Sequence, residues 1–410
     1  MSSENSISEK EEKEHHIQEF NTWNTTINEQ LPKLSKPQAT VLALWSFGII
    51  IVRSCSISAV KLVLAGLFDI KENTIRQRLK EFYLDSNDKK GQKRTQINAR
   101  ECFIFILEWI IKHWKTKQIA LAMDATTLGL SFTVLAISVL YRGCAIPVAW
   151  TITKGNEEGE WNKQWIDMLS LLGPAIPNDY AVIVATDRGL YSPVLFLYIT
   201  KMKWHPFMRI NKGGTFRPKG CKDFRPISSF ANQPKTHWQG IGTAFKSKPL
   251  DCVLLAYWEE GQNEAWFILT DLPPDVSNAC WYGMRAWIEH GFKHTKREGL
   301  GWHRTRMESP TRAERVWLAM SLATFYLVII GGEVDASICE STFPRIHYAS
   351  KSNAINNVIK PNRKVSIFRL GWITVILSLI RHKPLRIGCF IPEQWTESPY
   401  EIMIHKETYP

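Results

Sequence analysis

The chain has no closely spaced cysteine pair. Its eight cysteines stand singly, at positions 55, 102, 144, 221, 252, 280, 339 and 389, so the usual spacing of a structural zinc site is missing. A secretory leader is not expected either, because the first twenty residues are polar and acidic. The cysteines are therefore expected to be reduced, in the cytoplasm. No apolar run reaches membrane-spanning length: Val41–Val52 and Val316–Gly331 both fall short of roughly 18 residues and read as buried helices, with no membrane partner. No internal repeat is apparent. Acidic residues are in short supply, with 39 Asp and Glu against 51 Lys and Arg, a net charge of +12. Such a balance points to a polyanionic partner.

The cation excess is concentrated. Between Lys201 and Leu250 there are eleven Lys or Arg and a single acid, Asp223, an electrostatic footprint suited to nucleic acid. An anionic membrane would also attract it, but the segment is rich in Gly and Pro and does not read as an amphipathic helix. At 410 residues, 45% of them apolar, the chain is expected to fold into two or three units.

Residues 1–30 read as a flexible leader, and 31–114 as a helical DNA-binding region. Within it, Ser58–Phe68 and Thr74–Tyr83 form two short amphipathic stretches, the second capped by Asn73 or Thr74. Ile75, Leu79 and Phe82 share one face, with Arg76, Arg78 and Lys80 elsewhere. The pair is either a helix-turn-helix with a basic second helix or a small bundle with a solvated basic face. Asp85–Gln96 reads as a polar linker, followed by an apolar helix from about Ala99 to Trp114.

The texture then changes. Ile119–Asp124, Phe132–Tyr141 and Ala145–Thr153 read as three strands joined by short turns. A helix over Glu160–Leu172, a strand over Ala181–Thr186, a helix over Ser192–Met202 and a strand over His205–Ile210 follow. This alternation predicts an α/β sheet covered by helices. Residues 211–271 read as a basic, β-rich insertion, with Leu254–Trp258 and Ala265–Asp271 as a strand pair. A long amphipathic helix is predicted from about Asp275 to Lys296, an apolar one over Arg312–Ile330, and another over Val365–Arg381.

Asp124 and Asp187 each end an apolar strand, at the sheet edge where ligands bind in α/β folds. In the long helix, Tyr282, Arg285, Glu289 and Lys296 lie at offsets of 0, 3, 7 and 14, within a strip of roughly 60° at about 100° per residue. On an ordinary helix this would be a solvated face with a salt bridge.

The spacing Y-x2-R-x3-E-x6-K, together with Asp124 before Thr126 and Thr127 and Asp187 before Arg188, resembles the insertion-sequence-four family of DDE transposases. The resemblance covers about residues 115–330. It implies a ribonuclease-H-like core in two parts, 115–210 and 272–335, interrupted by the insertion; beyond it, 336–410 reads from its own residues as a helical C-terminal region. It also implies cleavage of double-stranded DNA at the terminal repeats of a mobile element, and joining of the 3′-hydroxyl to target DNA. Asp124, Asp187 and Glu289 would hold two Mg2+ ions, with Mn2+ able to substitute, about 4 Å apart. Arg285 and Lys296 would hold phosphates, Arg188 would either do likewise or form an ion pair within the core, and Tyr282 would hydrogen-bond the DNA backbone. Trp266 is the better match, and Trp258 the second, to a tryptophan on which relatives stack a flipped base. A homodimer on two DNA ends, nucleoid-associated when acting, is expected. The rivals are a nuclease of the same fold that never joins ends and a DNA-binding relative without catalysis.

Overall fold

The computed structural model describes residues 2–90, 94–129, 131–155, 161–297, 299–342, 365–393 and 395. The chain opens on helix α1, Ser2–Gln30, where a flexible leader was expected. Phe20, Trp23, Ile27 and Leu31 are buried, and their spacing of three or four residues makes one helical face. The Trp23 indole donates to Ser46 Oγ at 2.9 Å and packs on Trp109 and Tyr326. Those few apolar residues are scattered among polar ones, so composition alone concealed the helix.

Helix α2, Lys36–Val52, starts where Gln38 Oε1 accepts from the Ser35 backbone N–H. Helices α3, Ile57–Phe68, and α4, Glu72–Tyr83, meet across Asp69, which turns the chain in the left-handed region at φ 54°. Ile75, Leu79 and Phe82 are buried as their spacing predicts. The cap differs from expectation: α4 begins at Glu72, after Lys71, with no side-chain cap from Asn73 or Thr74. After α4, Arg315 pins the polar connection by donating to Tyr83 O, Ile97 O and Asp85. Helix α5 is Phe103–Lys112.

Three antiparallel strands follow: β1, Gln118–Leu128, β2, Phe132–Tyr141, and β3, Cys144–Lys154. Next come α6, Asn162–Leu172, β4, Ala181–Thr186, α7, Pro193–Lys201, and β5, His205–Arg209. The expected start of α6 at Glu160 lies outside the described residues. Strands β4 and β5 run parallel to β1 and to each other. The order β3-β2-β1-β4-β5, three antiparallel strands extended by two parallel ones, is a ribonuclease-H-like core.

The insertion continues that sheet rather than standing apart from it. It contributes β6, Thr215–Pro218, β7, Arg225–Pro226, β8, Thr236–Ala244, β9, Leu250–Trp258, and β10, Trp266–Thr270. Strand β10 pairs antiparallel with β5, completing a ten-stranded sheet that ends β10-β9-β8-β6-β7.

The predicted long helix over 275–296 is broken into three pieces. Pro274–Val276 and Ala279–Ala286 are 3-10 helices, and only α8, Trp287–Thr295, is α-helical. Two prolines and the Asn278 side chain, which accepts from Cys280 N–H at 2.8 Å, set the tighter turns.

Helix α9, Pro310–Thr342, is the central core element, packed on β3, α2 and α10, Ile367–Ile380. Its segment Pro310–Ser337 has the length and apolarity of a membrane span, but 94% of its apolar window is buried inside the protein. Polar anchors fix it to β3: Ser321 Oγ donates to Pro147 O, and Glu314 Oε1 accepts from Ile152 N–H.

Candidate active site

The register of the sheet places the first two carboxylates side by side. Met123 of β1 pairs with Thr186 of β4 in the parallel ladder, so Asp124 and Asp187 are the next residues at its C-terminal end. Strand β1 runs on past Asp124 to Leu128 along β2, four residues further than the sequence predicts. Asp124 Oδ1 accepts from the Ala125 N–H at 2.8 Å, which fixes the carboxylate. Burial raises its pKa against the opposing pull of Arg285.

Glu289 arrives from α8, whose Ile288, Gly291, Phe292 and Thr295 face the core. Tyr282 and Arg285 precede it on the 3-10 turns, where residues three apart eclipse. Their alignment thus survives the break in the α-helix. Arg285 lies at the centre of the cluster. Its Nη2 is 2.7 Å from Asp124 Oδ2 and 3.8 Å from Asp187 Oδ2, and its Nη1 is 2.5 Å from Glu289 Oε1. Burial opposes the guanidinium charge, but the surrounding carboxylates outweigh it and raise its pKa.

Among the described residues, no group of three His, Cys, Asp or Glu side chains stands ready to hold a metal ion. The donor chemistry nevertheless fits one. Three carboxylates converge on a single positive group, and hard divalent cations prefer such oxygens.

Lys296 follows α8 and donates from Nζ to Thr126 Oγ1 at 2.7 Å, bringing the last residue of the motif back to β1. Desolvation lowers its pKa, which the Asp124 charge partly offsets. Tyr282 is placed differently from expectation. It is 4% exposed with its hydroxyl buried near Arg209, out of reach of a DNA backbone as placed. Its ring packs edge-to-face on half-buried Trp266, with centroids 5.3 Å apart. Trp258 ends β9, its indole donating to Gln262 O in the turn to β10 at 3.1 Å.

Arg188 pairs with Glu264 at 3.2 Å, and Glu264 also accepts from Arg209 at 2.7 Å. Glu264 and Arg209 carry no spacing signal, and their meeting depends on β10 lying against β5. Arg76, Arg78 and Lys80 lie on a different element, the exposed side of α4, away from the carboxylates.

The chain was compared with known proteins. The family model described as the transposase DDE domain matches residues 116–326, more than half of the chain. No curated relative matches it. Among solved structures it is similar to a piggyBac transposase, determined by cryo-electron microscopy as a synaptic complex with hairpin DNA. The identity is 10%, the coverage 96% of this chain and 87% of that one, and the TM-score 0.39, a loose likeness that adds nothing to the topology above. The family match spans β1, β4 and α8, the three elements that carry Asp124, Asp187 and Glu289, and the chain belongs to the DDE transposases.

Proposed function

We propose that this transposase is of the insertion-sequence-four type, cutting double-stranded DNA at the terminal repeats of its own element and joining the 3′-hydroxyl ends to target DNA. The observation that carries the reading is the convergence of Asp124, Asp187 and Glu289 on one guanidinium from three separate elements. Asp124, Asp187 and Glu289 would hold the metal ions, their carboxylate oxygens being the donors that hard divalent cations prefer. Bound there, two Mg2+ ions, with Mn2+ able to replace them, supply activation of the attacking oxygen and stabilisation of charge on the phosphate.

The remaining residues bind and orient the DNA. Lys296, positioned by Thr126, holds a phosphate beside the carboxylates. Arg188 does likewise by exchanging Glu264 for a phosphate. Trp266, braced by Tyr282, offers a stacking face to an unpaired base, worth about 1–3 kcal/mol. Arg76, Arg78 and Lys80 on α4 contact the end sequence, and two copies act together on two ends.

The test is cleavage of a labelled duplex carrying the element's terminal repeat, with Mg2+. Wild type is expected to nick at the element boundary and join the end. Glu289→Ala is expected to lose at least about a thousandfold in rate, roughly 4 kcal/mol of transition-state stabilisation. Equal cutting by both proteins would remove Glu289 from the site. Cutting without joining would favour a nuclease.

A further inference from the structure

Arg285 is placed more deeply than a residue that only touches DNA requires. Its side chain is 11% exposed, and its two terminal nitrogens reach all three carboxylates, the farthest at 3.8 Å. Its Nε is buried without a hydrogen-bond acceptor, so one donor of the guanidinium is left unused. Like charges this close repel unless a cation lies between them. The oxygens that Arg285 occupies are those on which metal ions depend, so the two compete for the same acceptors.

We propose that Arg285 is a counter-ion gate: it holds Asp124, Asp187 and Glu289 together before metal is bound, and a DNA phosphate draws it away as metal loads. The inference rests on the metal-dependent function proposed above. It follows that metal and DNA bind with positive coupling, because each favours the state in which the guanidinium has left the carboxylates. The planar fork of arginine suits both roles, since it bridges several carboxylates in one state and grips a phosphate in the other. A lysine at the same position keeps the charge but, as a single point donor, cannot span the three carboxylates.

The test is Mn2+ titration followed by the electron paramagnetic resonance of the free ion. It uses the full chain as wild type, Arg285→Gln, Arg285→Lys and Asp124→Asn, each with and without a short duplex that lacks the terminal repeat. Without DNA, Arg285→Gln is expected to bind Mn2+ roughly tenfold more tightly than wild type, within the usual range of coupling between sites. DNA should tighten Mn2+ binding to wild type by a similar factor and to Arg285→Gln by clearly less. If Arg285→Gln binds no more tightly, or DNA tightens both proteins alike, the gate is wrong while the metal site stands. If Asp124→Asn binds as wild type does, or no protein binds saturably, the proposed metal site fails and the gate with it. Should Arg285→Gln lose its fold by circular dichroism, Arg285→Lys decides. Parity with wild type would mean that charge alone matters and would overturn the gate, whereas several-fold tighter binding would support it.

Discussion

Among single residues, Asp124 and Asp187 stood out because each closes an apolar run, and Glu289 because of a fixed four-residue spacing, all written in the local sequence. Their convergence was legible only through the family resemblance, because the β1–β4 register and the path of α8 that bring Asp124, Asp187 and Glu289 together are not local properties of the sequence. Nor did the spacing place Arg285 among all three, or bury the Tyr282 hydroxyl. Both depend on the 3-10 turns before α8. His294 illustrates a residue with no sequence signal. Its ring stacks on Phe368 of α10, with centroids 4.3 Å apart and planes 10° from parallel. Desolvation first, then the charges of His290 and Arg53, lowers its pKa from 6.5 to about 4. The folded state therefore resists a proton that the unfolded chain accepts. Stability is complete above pH 6.5 and falls as the pH drops from there toward 4, by up to roughly 3 kcal/mol from this residue. Melting of wild type and His294→Phe between pH 7 and pH 5 checks this. The phenylalanine variant should lose less stability across that range, and equal losses would reject the assignment.

Among the elements, strands β1 to β4 were readable because each is a short apolar run bounded by turns, and buried runs of that kind have few alternatives. Strand β8 was not. It alternates between partly exposed and exposed positions through Gly240, and its pairing with β9 and β6 makes it a strand. The 3-10 helix over Ala279–Ala286 was missed because residues three apart, as Tyr282 and Arg285 are, lie on one side of the helix at either period. Helix α9 was anticipated as buried, but its close approach to α10 was not. A Cβ added at Gly331 would run into the backbone of Ile367, and one added at Gly371 into the backbone of Leu327. The two helices thus touch backbone to backbone, which only glycine permits at these crossings. Gly371→Ala is expected to destabilise the protein by about 3 kcal/mol, the upper end for overpacking, and urea unfolding would measure it. A change under about 1 kcal/mol, within the range of tolerated volume-conserving swaps, would show that α10 shifts to accommodate the methyl group.

In the whole molecule, one ten-stranded sheet joins the catalytic core to the basic insertion. Whatever the outer strands bind is therefore mechanically linked to the strands that bear the carboxylates. The outer part carries exposed Lys212, Lys219, Lys222, Arg225, Lys235, Lys246 and Lys248, with Arg217 over Phe224 and Arg225 over Phe230. On the function proposed above, charge of that density would give DNA affinity independent of sequence, while the carboxylates on β1, after β4 and on α8 would set where chemistry occurs. The N-terminal helices complete the assembly from the opposite flank, since α1, α2 and α4 pack with α9.

The most direct measurement of the central claim is a crystal of the full chain bound to a duplex end with Mn2+, examined for anomalous scattering. Two anomalous peaks between Asp124, Asp187 and Glu289, about 4 Å apart, with Arg285 displaced onto a phosphate, are the predicted result. Mn2+ bound elsewhere, or Arg285 still bridging the three carboxylates with DNA and metal both present, would contradict the account.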